Sequence, residues 1–356
     1  MRLSRLQIQN FKSLRDVVLE DIPAFNVLIG PNGSGKSSVL EALAFVRAMV
    51  TGRGQDLGDA AAYFSRGGSD RTISVDLEVA EEGDAAQRCG YAFEAMEGAR
   101  TGFVFASDKV KQGEGRPLAA HLSPTGDLSS LFLLKHIAKH SFFSAVYDFI
   151  EGFRSFDLRL RPGNSLEGTG AVTHRMTERG TNAHAVVRYL SEKHPEVFRL
   201  VERRMAQRIP GVQGIEPLKM EDGRIALRFR DGAIPTPFLE REMSEGTLNM
   251  LAWLLILNDP DPPTLLCAEE PEGRINPHHL GELAEDFALF SEQKGQVFVT
   301  THSPDFLNAV PLESLWVLSK ENGETRIHRA ADKPNARAMA EAGDLPGQIW
   351  MSGGLA

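Results

Sequence analysis

The sequence predicts an α/β fold in which the two ends of the chain build one parallel-sheet core, with an antiparallel β subdomain and an inserted helical lobe. Three observations predict it. Gly30-Pro31-Asn32-Gly33-Ser34-Gly35-Lys36-Ser37 is a complete G-x-x-x-x-G-K-[ST] loop, set between an apolar run and a helical pattern. Far along the chain, two more apolar runs end in chemistry: Thr264 to Ala268 in Glu269-Glu270, and Gln296 to Thr300 in Thr301-His302-Ser303. Between these regions Thr72 to Val79 alternates polar and apolar residues, as a half-exposed strand does.

The elements follow in order. The first fifty residues read as two strands, a turn, the buried strand Phe25 to Ile29, the loop, and a helix with Val39, Leu43, Val46 and Val50 on one face. A looser stretch, rich in glycine and alanine, runs from Thr51 to Gly68. Tyr91 to Met96 and Gly102 to Phe105 read as antiparallel partners of the alternating strand. From Leu118 to Arg208 the pattern is helical, broken at Arg161-Pro162-Gly163-Asn164, and Ile225 to Phe229 is a strand between turn signals. After Glu242 the chain returns to α/β alternation, with helices from Leu248 to Leu257 and Leu280 to Phe290. These boundaries divide it into 1–110 (first part of the core with its β subdomain), 111–235 (helical lobe) and 236–356 (second part of the core).

Composition narrows the function. A net charge of −9 argues against coating nucleic acid through overall charge, though a local basic patch stays open. The only two cysteines, Cys89 and Cys267, make a disulfide framework unexpected and a reducing cytoplasm the expected compartment. The longest apolar run, Leu251 to Leu257, is far too short to span a membrane, and the alternating N-terminus lacks the core of a signal peptide.

The loop carries the first piece of chemistry. Glycines let backbone N–H groups turn inward around a phosphate, and the helix N-terminus adds partial positive charge. Lys36 is then the residue for the β- and γ-phosphates, and the Ser37 hydroxyl a ligand for Mg²⁺. A nucleoside triphosphate is the expected ligand. The paired acids supply the second requirement of a phosphate-loop ATPase: by position, Glu269 takes the metal role and Glu270 polarises the attacking water. His302 at the end of the next strand is placed to sense or stabilise the γ-phosphate. Ser244 and Gly246 open the helix after Met243 and offer a hydroxyl and bare N–H groups. One loop already covers that face of a nucleotide, so this second gripper is best used across a dimer interface.

The order of phosphate loop, Ser-Glu-Gly, Glu-Glu-Pro-Glu strand end and Thr-His-Ser resembles the ABC-type ATPase head of SMC, RecF and OLD-like proteins. It is similar above all to the related small bacterial AAA-type ATPases. The opening Leu6-Gln7-Ile8-Gln9-Asn10-Phe11-Lys12-Ser13-Leu14 is also similar to that group's first strand and turn. The match covers 1–50 and 236–310. The resemblance implies a P-loop NTPase that hydrolyses ATP, with Mg²⁺, between two heads docked head to tail. It implies Gly30, Pro31, Asn32, Gly33, Ser34, Gly35, Lys36, Ser37 and Ser38 on the phosphates, Lys12 near the nucleotide, and Ser244 and Gly246 closing over it from the other subunit. It further implies DNA maintenance or defence against invading DNA. DNA is then a possible partner, and any nuclease or other effector a separate protein. Three positions depart from the group's pattern: Glu269 stands where many relatives have Asp, Met243 replaces Leu, and Gly273-Arg274-Ile275-Asn276-Pro277 lacks a common histidine. The glutamine that usually links core and lobe stays open among Gln55, Gln87 and Gln112.

Competing readings are a module locked by ATP with negligible turnover, a P-loop kinase, and a transporter's ATPase subunit. Of the remaining side chains, His136 and His140 at i, i+4 read as a solvated helix face rather than a metal seat, and His278-His279 as surface. Arg154, Arg159, Arg161, Arg199, Arg203, Arg204 and Arg208 read as ordinary helix faces or, alternatively, as a nucleic-acid contact.

Overall fold

The parallel strands alternate their side chains between two separate cores, and that division organises the molecule. The computed structural model describes residues 1–65, 70–81, 84–99, 102–113, 119–120, 128–137, 142–160, 174–221 and 225–355. The first part of the chain gives β1 (Arg2–Phe11), β2 (Leu14–Leu19), β3 (Phe25–Ile29) and α1 (Lys36–Val50). It continues through β4 (Thr72–Glu81), β5 (Asp84–Glu97), β6 (Phe103–Gln112) and the short β7 (Ala119–Ala120). The middle holds α2 (Ser130–Ile137), α3 (Phe142–Glu151), β8 (Phe153–Phe156), α4 (Ala183–Lys193), α5 (Pro195–Arg208), β9 (Val212–Lys219) and β10 (Ile225–Asp231). The last part gives β11 (Phe238–Leu239), α6 (Glu245–Leu257), β12 (Leu265–Glu269), α7 (Leu280–Gln293), β13 (Gln296–Thr300) and α8 (Pro304–Leu307). It ends in β14 (Leu315–Glu321), β15 (Glu324–Arg329), α9 (Pro334–Glu341) and α10 (Pro346–Met351).

The central sheet runs β15-β14-β3-β13-β12-β8, parallel except for the β14–β15 hairpin. An apolar run with no polar face suits a strand covered on both sides, and all of β3 and β13 is buried. Leu28, Leu265, Cys267, Phe298 and Leu318 point to one core, shared with α1 and the antiparallel sheet β2-β1-β4-β5-β6-β7. Val27, Ile29, Leu266, Ala268, Val297 and Val299 point to the other, shared with α4, α5, α6 and α7. Every residue of α6 from Thr247 to Leu257 is buried, which is why that stretch is apolar all round rather than striped.

Two buried amides stitch the layers together. Gln296 accepts from the Leu3 N–H (2.9 Å) and donates to the Leu3 and Pro23 carbonyls (2.9 Å each), tying the antiparallel sheet to the central one. Asn26, inside β3, donates to Pro23 and Val297 and accepts from the Trp316 indole (3.0 Å). Each makes full use of its donors and acceptors, as a buried amide must. Cys89 and Cys267 are free and buried, and burial pushes the Cys89 thiol up to about 12.

The middle segment departs from a purely helical insertion. β8 is the edge strand of the central sheet, paired in parallel with β12. β9, β10 and β11 form a separate antiparallel sheet, and α5 packs on both β9 and α6. The tail is anchored: Ile349 and Leu355 are wholly buried, and the Gly347 N–H donates to Asn308 (3.0 Å). No helix among the described residues is long and apolar enough to cross a membrane.

Candidate functional site

β3 delivers the loop at its carboxyl end, and α1 begins at Lys36, so the loop residues Gly30 to Gly35 bridge strand and helix. Lys36 folds back over the loop, donating to the carbonyls of Gly30 (2.9 Å) and Pro31 (3.3 Å). Burial holds its ammonium below the ordinary lysine range, partly offset by the negative charges of Glu270, Glu272 and Glu269. A cation among backbone carbonyls is poised to meet an anion, whose negative charge would favour its charged form. The loop is braced from behind by Thr325, whose hydroxyl donates to Ser34 O and bonds the Ser13 hydroxyl, both at 2.8 Å. The buried Ser34 hydroxyl itself finds no partner among the described residues.

β12 and β13 lie side by side, with Glu269 opposite Thr300. Their ends therefore present the acids and the histidine together. The Ser37 hydroxyl donates to Glu269 Oε1. Glu270 adopts a left-handed backbone (φ 43°), its N–H held by the carbonyl (3.0 Å) and hydroxyl (3.2 Å) of Thr300. That turn carries its carboxylate away from the strand, 3.6 Å from His302 Nε2. Glu272 secures the other side: one carboxylate oxygen accepts from the Thr301 hydroxyl and from the His302 N–H, both at 2.7 Å. The hard oxygens of Ser37 and Glu269, sharing one hydrogen bond, fit Mg²⁺, which takes one or two protein oxygens and fills its shell with water and phosphate.

A cavity of about 1010 Å³ opens over these groups, large enough for a nucleotide. Lys12, Asn32, Gly33, Gly35, Lys36, Ser37, Ser38, Glu270 and His302 line it. Lys12 is held in place, with a left-handed backbone (φ 49°) and its ammonium 2.5 Å from Glu41. Gly30, Pro31, Ser34 and Glu269 shape the site without lining that cavity.

Sequence reasoning missed several wall residues. Ser13, Arg15 and Phe64 contribute from the β1–β2 turn and the segment before β4, and Lys320 and Asn322 from the β14–β15 hairpin. Asn322-Gly323 is a hairpin turn signal in its own right, but only the pairing of β14 with β3 brings it over the loop. Beside Glu269 lies Arg159, one of the arginines read above as a helix face or nucleic-acid contact, together with Asp157. Ala268 pairs with Phe156, so Asp157 leaves the sheet next to Glu269. Arg159, 2.6 Å from Asp157, is raised above the usual guanidinium range by that carboxylate first, and also by Glu269. Of the glutamines left open, Gln55 and Gln112 do not line the cavity, and the side chain of Gln87 lies outside the described residues.

Ser244 and Gly246 sit elsewhere. Ser244 caps α6, accepting from the Thr247 N–H (3.1 Å). Gly246 lies so close to the strand-end loop that a Cβ would fall 2.1 Å from the Arg274 carbonyl. They line a different cavity, about 560 Å³, with Arg208, Arg274 and Asn276.

The other candidates resolve plainly. His136 bonds the Phe132 carbonyl (2.7 Å) and stacks on its ring, while His140 lies outside the described residues. No group of three metal-binding side chains occurs among the described residues. His278 is exposed. Arg204 and Arg208 are spent on Asp286 (2.9 and 2.7 Å) and Arg208 also on Glu282 (2.9 Å), Arg199 and Arg203 are exposed, and Arg161 lies outside the described residues.

Comparison with known proteins identifies the fold and the family. A 59-residue stretch is 48% identical to the DNA replication and repair protein RecF of Vibrio vulnificus (strain YJ016), covering 15% of this chain and 16% of that protein. The chain therefore spans a small part of this curated relative's length. Among solved structures, the SMC head domain from Thermotoga maritima is similar over 92% of this chain and 99% of that one (16% identity, TM-score 0.52). An SmcHead solved bound to the C-winged helix domain of ScpA is similar over 92% and 98% (14% identity, TM-score 0.60). At these identities the likeness is one of fold, the P-loop ABC-type ATPase head. The model of the family described as "AAA domain, putative AbiEii toxin, Type IV TA system" matches residues 25–308, and the chain belongs to that family of SMC/RecF-like AAA ATPases.

Proposed function

We propose that this protein binds ATP with Mg²⁺, hydrolyses it, and pairs head to tail with a second copy while ATP is bound. One observation carries the reading: Lys36, Ser37, Glu270 and His302 converge on one cavity, whereas Ser244 and Gly246 line another. A gripper that cannot serve the nucleotide of its own chain is free to serve that of a neighbour. In this account the loop N–H groups and Lys36 hold the β- and γ-phosphates, and Lys12 and Phe64 bound the rest of the nucleotide. Bound Mg²⁺, held by Ser37 and Glu269, supplies charge neutralisation at the transferring phosphoryl group. Glu270 accepts a proton from the attacking water, and His302, 3.6 Å away, orients Glu270 and faces the γ-phosphate.

The output is conformational: ATP joins the heads and hydrolysis releases them. The names of the relative and the family, a DNA replication and repair protein and a "putative AbiEii toxin, Type IV TA system", support the reading of a role in DNA maintenance or defence. A separate effector or nuclease and a cytoplasmic setting belong to the same proposal. Phosphate release tests the enzymatic part. Wild-type protein with ATP and Mg²⁺ is expected to release phosphate, and Lys36→Ala or removal of Mg²⁺ to abolish it. Equal release by wild type and Lys36→Ala contradicts the assignment.

A further inference from the structure

A second polar cavity, about 470 Å³, lies where α1, the end of α3 and the segment entering β12 meet. Four arginines line it: Arg47 near the end of α1, Arg53 just beyond it, Arg154 in β8, and Arg175. Arg47 Nε and Arg154 Nη1 donate to the same oxygen, the Glu151 carbonyl at the C-terminus of α3, at 3.0 and 2.7 Å. Two guanidinium groups on one oxygen cap that helix, and Arg154 Nη1 also donates to the Phe153 carbonyl (2.8 Å), yet a guanidinium has five N–H donors, and most of theirs are left over.

The cavity's acids are largely committed. Asp148 is 2.7 Å and Glu151 3.5 Å from Lys135, and Asp261 is paired with Arg175. Asp259 accepts from the Asp261 N–H (2.9 Å), and burial pushes it up to about 6. Among the described residues, Arg47, Arg53 and Arg154 have no carboxylate within ion-pair distance. The crowding registers on the arginines: Arg154 is brought down to about 10, by burial first and then by the charges of Arg47 and Arg175, with Glu151 and Asp261 offsetting only part of it. Arg47 is lowered too, by burial first and then by Arg53.

We propose that Arg47, Arg53 and Arg154 form a binding site for a phosphate group, separate from the phosphate loop. A planar carboxylate accepts in one plane, whereas a tetrahedral oxyanion accepts from donors that arrive from several elements, as these do. Its charge removes the mutual repulsion that the three guanidinium groups otherwise bear. Two sources share this chemistry, a small free phosphate and the backbone of a nucleic acid.

The test uses a Lys36→Ala background, so that the phosphate loop does not compete, and titrates inorganic pyrophosphate by calorimetry. Binding is expected, weakened at least about tenfold by Arg154→Gln and about fivefold by the exposed Arg53→Gln, as loss of a charge-assisted hydrogen bond implies. Circular dichroism verifies that each variant is folded, and Arg53→Gln keeps the test valid should Arg154→Gln disturb β8. No binding in the background, or equal binding by folded variants, overturns the site. Displacement of pyrophosphate by a 20-base-pair DNA duplex assigns the phosphate to a nucleic-acid backbone. Failure of the duplex to displace it assigns a small phosphate, and either result upholds the site.

Discussion

Glu270→Gln is expected to bind ATP as the wild type does and to release phosphate at least about 100-fold more slowly, the lower end of what a positioned general base contributes. The geometry makes the separation clean. The Glu270 carboxylate makes no hydrogen bond to the loop among the described residues; the one side chain at ion-pair distance from it is His302, with Nε2 at 3.6 Å. Its backbone is fixed independently, by Thr300. Glutamine is isosteric, keeps that backbone turn and cannot accept a proton from water. A turnover assay beside equilibrium nucleotide binding checks both halves. Weakened ATP binding in Glu270→Gln, or undiminished turnover, removes Glu270 from the role of base.

Gly30→Ala is expected to destabilise the folded protein by about 3 kcal/mol or more and to abolish nucleotide binding, whereas Gly33→Ala costs about 1 kcal/mol. Both residues have positive φ, 152° and 77°, so conformational strain alone does not separate them. Space does. A Cβ on Gly30 would stand 2.2 Å from the carbonyl oxygen of Leu318, in the strand that pairs with β3, and neither strand can retreat without opening the ladder. A Cβ on Gly33 would meet nothing within 4 Å. Thermal unfolding of the two variants reads the difference. Equal losses would place the cost in φ rather than in the contact between loop and sheet.

Much of the site was legible because its carriers are short, fully buried strands whose composition leaves no other reading. Phe25–Ile29 and Gln296–Thr300 form strands with the bounds their apolar runs predict. Glu269, Glu270 and His302 then follow at strand ends, where a parallel sheet gathers its chemistry. The middle third was far less legible. Phe153-Arg154-Ser155-Phe156 has its apolar residues three apart, a helical spacing, yet it pairs with β12 as a strand. β9 contains both Gly214 and Pro217, residues that ordinarily count against a strand. Tertiary pairing overrode local preference in each case. The Ser244 hydroxyl illustrates a different limit: the residues that suit it to grip a phosphate also suit it to cap its own helix, as it does here. Sequence alone assigns one hydroxyl both roles.

The central claim, that ATP joins two copies through this face, is tested most directly by the solution mass of Glu270→Gln measured by light scattering with and without ATP and Mg²⁺. The account predicts that the 39.1 kDa chain is monomeric without nucleotide and doubles in mass with it. It also predicts that adding Ser244→Arg, which puts a bulky cation at the start of α6 for about 1 kcal/mol of lost capping, abolishes the doubling. A Glu270→Gln protein that binds ATP and stays at the mass of one chain contradicts it.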